Sequence, residues 1–231
     1  MISHKHKAIF IHLPKCVGTS IEHAFGHSEG YKGRSSQDHR SIREIQPMNA
    51  GQILRNMSVE NVKSTIKRIR YYSNKKSNVN PNNYVTVNKA QYQDYLKFTF
   101  VRNPYNRAYS WYKGIISDSV HRKAYSIDSD IGFEEFTEKF MTSRRLMKPY
   151  MHFLKDYSGN VPMDFVGRFE NLENDFNELC QLLDVEISLP HYNNRGGKDT
   201  DYRKFYTPKS IELVTNLYRE DLEYFGYSFE D

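Results

Sequence analysis

Only two cysteines occur in 231 residues, Cys16 and Cys180, too few for a disulfide framework and not spaced as a metal-binding pair. A reducing compartment is the default expectation. Long apolar runs are also missing. None approaches the roughly 18–20 residues of a membrane span, and the apolar run in the basic start MISHKHKAIFIH is too short for a signal-peptide core. The chain reads as soluble and cytoplasmic, with a Golgi-type setting requiring an anchor outside this sequence. Internal repeats and clear domain boundaries are absent too, so a single domain over 1–231 is expected. Tryptophan occurs once; 18 tyrosines and 14 phenylalanines supply much of the packing material. The charge balance is +5, which suits either a solvated basic surface or a polyanionic ligand.

The run AIFIH (8–12) suits a strand buried on both faces. Residues 18–26 follow as a helix, with Thr19 and Glu22 spaced for a capping box. Residues 58–72 read as a basic helix with Val62, Ile66 and Ile69 on one face, and the polar residues 73–83 as a mobile loop. LKFTFV (96–101) is a second buried strand. It ends in Arg102, with Asn103 as helix N-cap and Pro104 at the first helical position. A third strand, MDFVGRF (163–169), precedes a helix striped by Leu172, Phe176, Leu179 and Leu183, and a last helix starts at Thr207-Pro208. Strands alternating with helices predict an α/β fold: a central, mostly parallel sheet flanked by helices.

In such a sheet, ligands sit beyond the carboxyl ends of the strands. The loop Pro14-Lys15-Cys16-Val17-Gly18-Thr19-Ser20 lies at such an end and opens a helix, a P-loop-like arrangement for a phosphate. An ordinary glycine turn would look similar. A nucleotide P-loop requires lysine after its second glycine; here Thr19 follows Gly18 and the lysine comes before. No later strand ends in a magnesium-holding aspartate, and Ile21-Glu22 stands where a phosphatase-type loop would place its arginine. Cys16 therefore reads mainly as a packing residue. The second strand ends in Arg102, whose planar fork suits a phosphate, with Ser110 two turns into the following helix as a further donor. A salt bridge for Arg102 and plain helix packing for Ser110 are the bland alternatives.

Taken in order and spacing, these motifs resemble the sulfotransferase superfamily, in particular its carbohydrate sulfotransferase branch (the sulfotransferase family 2 type) and bacterial relatives. PK-x-x-GTS is similar to residues 14–20, and RNP-x-x-R-x-x-S to Arg102, Asn103, Pro104, Arg107 and Ser110. VGRFENLENDF (166–176) and the closing segment from Tyr202 extend the resemblance along nearly the whole chain. Least familiar is 46–97.

The resemblance implies the donor 3′-phosphoadenosine 5′-phosphosulfate (PAPS), released as PAP, with no metal. The 14–20 loop would hold the 5′-phosphosulfate. Arg102 and Ser110 would hold the 3′-phosphate, and Arg195, Gly196 and Lys198 would close over the nucleotide. Lys15 would stabilise charge on the bridging oxygen. His39 stands about where the family brings in a base, and an imidazole suits that task. Asp38 is not expected to orient it, and His12 is expected to pack inside its strand. His152 and His191 are weaker candidates for the base; His4, His6 and nearby lysines read as a mobile basic tail. Arg168 is expected to pair with Glu170 or Asp175. The implied acceptor is a hydroxyl, on a glycan if the carbohydrate branch is followed. Lys67, Arg68, Arg70, Tyr71, Tyr72, Arg144 and Arg145 are available to an anionic one. Competing readings are a basic nucleic-acid binder and a relative that binds nucleotide without transfer. Interleaved acidic stretches argue against a continuous groove for nucleic acid.

Overall fold

The computed structural model describes residues 1–31, 33, 36–47, 50–190 and 201–231. Four strands, β1 (Ile2–Ser3), β2 (Ala8–Ile11), β3 (Leu96–Val101) and β4 (Phe165–Arg168), form one sheet in that order. β1 runs antiparallel to β2, while β2, β3 and β4 are mutually parallel. The fold is α/β with a mostly parallel sheet, as the alternation of elements predicts. Its helices are α1 (Gly18–Ala24), α2 (Ile42–Ile45), α3 (Ala50–Arg55), α4 (Val59–Ser73), α5 (Lys89–Asp94), α6 (Pro104–Ile116), α7 (Ser119–Tyr125), α8 (Phe133–Phe140), α9 (Tyr150–Leu154), α10 (Leu172–Leu183) and α11 (Pro208–Phe225).

The chain divides into two compact units. One comprises Met1–Leu13, Val17–Val101 and Met151–Asn193; the other comprises Pro14–Cys16, Arg102–Tyr150 and Asn194–Asp231. The first contains the whole sheet. All four residues of β2 are buried, as a strand covered on both faces requires. Phe10, Phe98 and Phe100 of the strands pack with Ile21 of α1, with Phe25 at its C-terminal end, and with Phe176 and Leu179 of α10. The stripe read on α10 thus faces the sheet. Gly167 in β4 is obligatory: a Cβ there would lie 2.3 Å from a ring carbon of Phe100. The basic tail expected at the N-terminus is partly structured instead, with Ile2 opposite Ile9 and His4 Nδ1 2.8 Å from the Tyr95 hydroxyl.

In the second unit, α6, α8 and α11 pack on one another. Asn103 caps α6 by accepting from Tyr105 N–H at 3.0 Å, and Pro104 occupies its first turn, as expected. Aromatic rings fill this unit; Tyr109 stacks on Phe205 at 4.6 Å, and Phe133 meets Tyr206 edge-on at 4.7 Å. Arg107 is fully buried, its guanidinium 4.5 Å from the Tyr150 ring centroid and 5.4 Å from that of Tyr218.

One local expectation needs correction. Thr19 and Glu22 form no capping box; Val17 is the N-cap residue of α1 and supplies no side-chain bond. Glu22 is claimed by His12 and by the Asp38 N–H instead. On α4 the periodicity is right. Val62, Ile66 and Ile69 share a face that points to solvent, while Asn61 and Arg68 make the inward hydrogen bonds. Within residues 73–83, Asn80 and Asn83 are buried and bond to the carbonyls of His27, Ser36 and Gln37.

Candidate active site

Each unit carries its own cluster of expected site residues. In the second unit, Lys15 and Arg102 come together. Arg102 Nη1 lies 3.5 Å from the Lys15 carbonyl, and its Nη2 donates to Asn106 Oδ1 at 2.8 Å. Lys15 Nζ sits 5.7 Å from the centroid of the Trp111 ring and close to Gly114, where any Cβ would come within 2.7 Å of it. Burial, and then the nearby Arg102 charge, lower the Lys15 pKa from 10.5 to about 8. No carboxylate pairs with Lys15 among the described residues. The Arg102 charge is near enough to disfavour the charged lysine, so both would gain from an anion placed between them. Ser110 is half-buried on α6, the helix that Arg102 precedes.

Two buried groups fix this cluster. Arg107 donates through Nε to the Pro14 carbonyl at 3.0 Å, and through its other nitrogens to the carbonyls of Lys148 and Leu146, each at 3.1 Å. It is a strut for the loop that carries Lys15. The Tyr150 hydroxyl donates to the Arg102 carbonyl at 2.7 Å and accepts from the Arg102 N–H at 3.3 Å. Cys16 is 1% exposed with its Sγ 3.4 Å from the same hydroxyl, in keeping with a packing role. The loop backbone is strained. Lys15 (φ 69°) and the β-branched Val17 (φ 62°) both adopt the left-handed conformation, which costs a non-glycine residue on the order of 1–3 kcal/mol.

The first unit holds the histidine cluster. His12, at the end of β2, packs directly against Gly18: a Cβ on Gly18 would lie 2.0 Å from the His12 ring. Its Nδ1 is 2.9 Å from Glu22 Oε1, and its ring centroid is 4.3 Å from that of His39. Burial alone would raise the Glu22 pKa, but His12, the N-terminal ammonium and His27 together outweigh it and hold the carboxyl below its usual range. His39 Nδ1 faces the His12 carbonyl at 3.2 Å. A carbonyl only accepts, which assigns the proton to Nδ1 and makes Nε2 an acceptor in the neutral ring. Burial first, and then His12, lower the His39 pKa to about 3, so the ring is neutral throughout the physiological range.

The His39 Nε2 meets Gln37 Oε1 at 3.2 Å, while Gln37 Nε2 meets Thr19 Oγ1 at 2.6 Å. Turning the Gln37 carboxamide over satisfies both contacts, with its nitrogen donating to His39 and its oxygen accepting from the Thr19 hydroxyl. Gln37 therefore caps the basic nitrogen and ties it to the loop threonine. Asp38 does not orient His39; it is buried against Arg40, whose Nη2 lies 2.6 Å away. That pair, with the hydrogen bond from Asn83 to the Gln37 carbonyl at 3.1 Å, pins the 37–40 segment.

Other candidates stay apart from these clusters. His152 pairs with Glu60 at 3.0 Å. Arg168 donates its backbone N–H to Asp175. Lys67 pairs with Glu44 at 2.7 Å, and Arg144 donates to the Tyr125 carbonyl. His191, Arg195, Gly196 and Lys198 lie outside the described residues. Sequence reasoning missed Gln37, Glu22 and Tyr150 as supporting groups. The spacing of Arg107 within the second motif was visible, but not its use as a strut.

A family model described as "Sulfotransferase family" matches residues 1–228. The chain belongs to this family. It is 26% identical over 167 residues to carbohydrate sulfotransferase 9 of Homo sapiens, a match covering 58% of this chain and 38% of that protein. The matched part is thus well under half the length of this sulfotransferase relative. The chain is also 30% identical over 119 residues to an uncharacterized protein of Archaeoglobus fulgidus, covering 51% and 91% of the two chains. No solved structure matches this chain. Among the described residues, no helix is long and apolar enough to cross a membrane, and no group of three or more His, Cys, Asp or Glu is placed to hold a metal ion.

Proposed function

We propose that the chain transfers a sulfuryl group from PAPS to an acceptor hydroxyl on a carbohydrate. The observation that carries this reading is the Lys15–Arg102 cluster: the guanidinium reaches the Lys15 carbonyl, and its charge helps to lower the Lys15 pKa to about 8. The cluster suits an anionic ligand, and membership of the family supports a sulfate donor in that place. Arg102 and Ser110 grip the 3′-phosphate. The N–H and hydroxyl groups of Gly18, Thr19 and Ser20 hold the 5′-phosphosulfate, on a loop shaped by Pro14, Cys16 and Val17. Arg195, Gly196 and Lys198 are assigned to the nucleotide by the resemblance alone.

In the transfer, the bond from sulfur to the nucleotide's bridging oxygen breaks as a new bond to the acceptor oxygen forms. Lys15 stabilises the charge that accumulates on the departing oxygen, an interaction stronger in the transition state than before it. His39 Nε2 takes the acceptor proton. When Thr19 turns its hydroxyl to the donor, Gln37 loses its anchor and the basic nitrogen is uncovered, so donor binding precedes deprotonation of the acceptor.

The reading is tested by incubating the chain with labelled PAPS and a panel of glycan and small alcohol acceptors, while PAP and oligonucleotide binding are measured calorimetrically. The expected result is sulfated product, with turnover lowered about 10²–10³-fold by Lys15→Ala. Oligonucleotide binding without PAP binding overturns the proposal. PAP binding without transfer to any acceptor favours the non-transferring relative.

A further inference from the structure

The helix α4 is inverted. Its inward face is polar: Asn61 donates to the Asn56 and Tyr157 carbonyls, Thr65 meets the Tyr157 hydroxyl, and Arg68 bonds to the Gln46 carbonyl. Its outward face is apolar. Val59, Val62, Ile66 and Ile69 are 73%, 42%, 45% and 53% exposed, and Leu54 of α3 and Met57 in the turn before α4 are 72% and 68% exposed. These are six of the ten exposed large apolar side chains among the described residues. At about 100° per residue, the four on α4 span an arc of about 80°. Lys63 and Arg70 occupy the adjoining arc, both exposed, and neither forms an ion pair among the described residues. Glu60, further round, is taken by His152 and lies 3.7 Å from Arg43.

We infer that α4 and the turn before it dock on an anionic lipid surface, lying in the plane of the interface. An apolar stripe bordered by unpaired cations matches a layer in which acyl chains lie just beneath negatively charged head groups. A second copy of this chain fits less well, because it would bring Lys63 and Arg70 against the same cations. The internal hydrogen bonds hold the helix in register before it meets the surface. The outward Val and Ile side chains therefore enter without the folding cost that a disordered amphipathic segment carries. This inference is independent of the donor and of the reaction.

The test is flotation of the full chain with vesicles of phosphatidylcholine alone and with phosphatidylglycerol added. Strong binding is expected only to the anionic vesicles, falling with salt. Ile66→Ser/Ile69→Ser and Lys63→Glu/Arg70→Glu should each lower partitioning at least tenfold. Leu182→Ser and Lys123→Glu, exposed positions elsewhere, should leave it unchanged. Thermal melts check that the variants fold, and the single Ile69→Ser variant serves if the double one does not. Wild-type binding retained in the Ile→Ser variants means adsorption by net charge and overturns the inference. So does absence of binding to anionic vesicles. A dimer in sedimentation that the Ile→Ser variants dissociate assigns the face to a second copy instead, and overturns it equally.

Discussion

Lys15 should take up a proton when the nucleotide binds in alkaline solution. Without ligand its pKa is about 8, lowered by burial and by Arg102. At pH 9 only about one molecule in ten then carries the charged lysine. A bound phosphosulfate or phosphate favours the cation and raises the pKa, so binding at pH 9 draws about 0.9 proton from solvent. The phosphate groups of PAP are almost fully ionised above pH 7 and contribute little there. The same linkage makes the affinity for PAP fall about tenfold between pH 7 and pH 9. Calorimetry at pH 9 in buffers of differing ionisation enthalpy measures the uptake directly. Lys15→Arg keeps the charge at every working pH and should flatten both the uptake and the pH dependence. Zero uptake in the wild type, or undiminished uptake in Lys15→Arg, refutes the placement of an anion on this lysine.

Arg107→Ala leaves the carbonyls of Pro14, Lys148 and Leu146 without their donor. It should cost about 3 kcal/mol in urea denaturation, and a loss below about 1 kcal/mol contradicts the strut role. Gly18→Ala drives a methyl into the His12 ring. It should destabilise the fold by roughly 1–3 kcal/mol and move the His39 pKa upward from about 3 in an NMR titration; an unmoved resonance counts against the packing described. Because His39 is already neutral well below pH 5, kcat/KM should show no acid limb near pH 6.5 from this residue, and a limb there that His39→Gln removes contradicts the assignment. Gln37→Ala should raise carbethoxylation of His39 severalfold in the ligand-free chain, to the level that PAP produces in the wild type. Equal reactivity with and without Gln37 removes it as a cap.

The strands and long helices were legible because their signals are local. AIFIH and LKFTFV are apolar throughout, and Asn103-Pro104 and Thr207-Pro208 carry their own capping chemistry. The Thr19/Glu22 pattern misled because a capping box competes with tertiary partners. Glu22 bonds to the buried His12 ring and the Asp38 N–H rather than to a backbone donor at the start of its own helix. The α4 stripe had the right period, but periodicity locates a face without saying whether it turns inward. Of the candidate site, charge and loop position were legible, for Lys15, Arg102 and Gly18. Gln37 was not, because its importance lies in two hydrogen bonds to residues 2 and 18 positions away, which no composition or spacing announces.

The bond from Arg107 to the Pro14 carbonyl has a practical meaning for protein engineering. The two signature segments, more than eighty residues apart in the chain, function as one mechanical part. Grafting the PKCVGTS turn onto another scaffold without its distant arginine would transplant a spring without its catch. A chimera must carry both segments across to keep the lysine aimed.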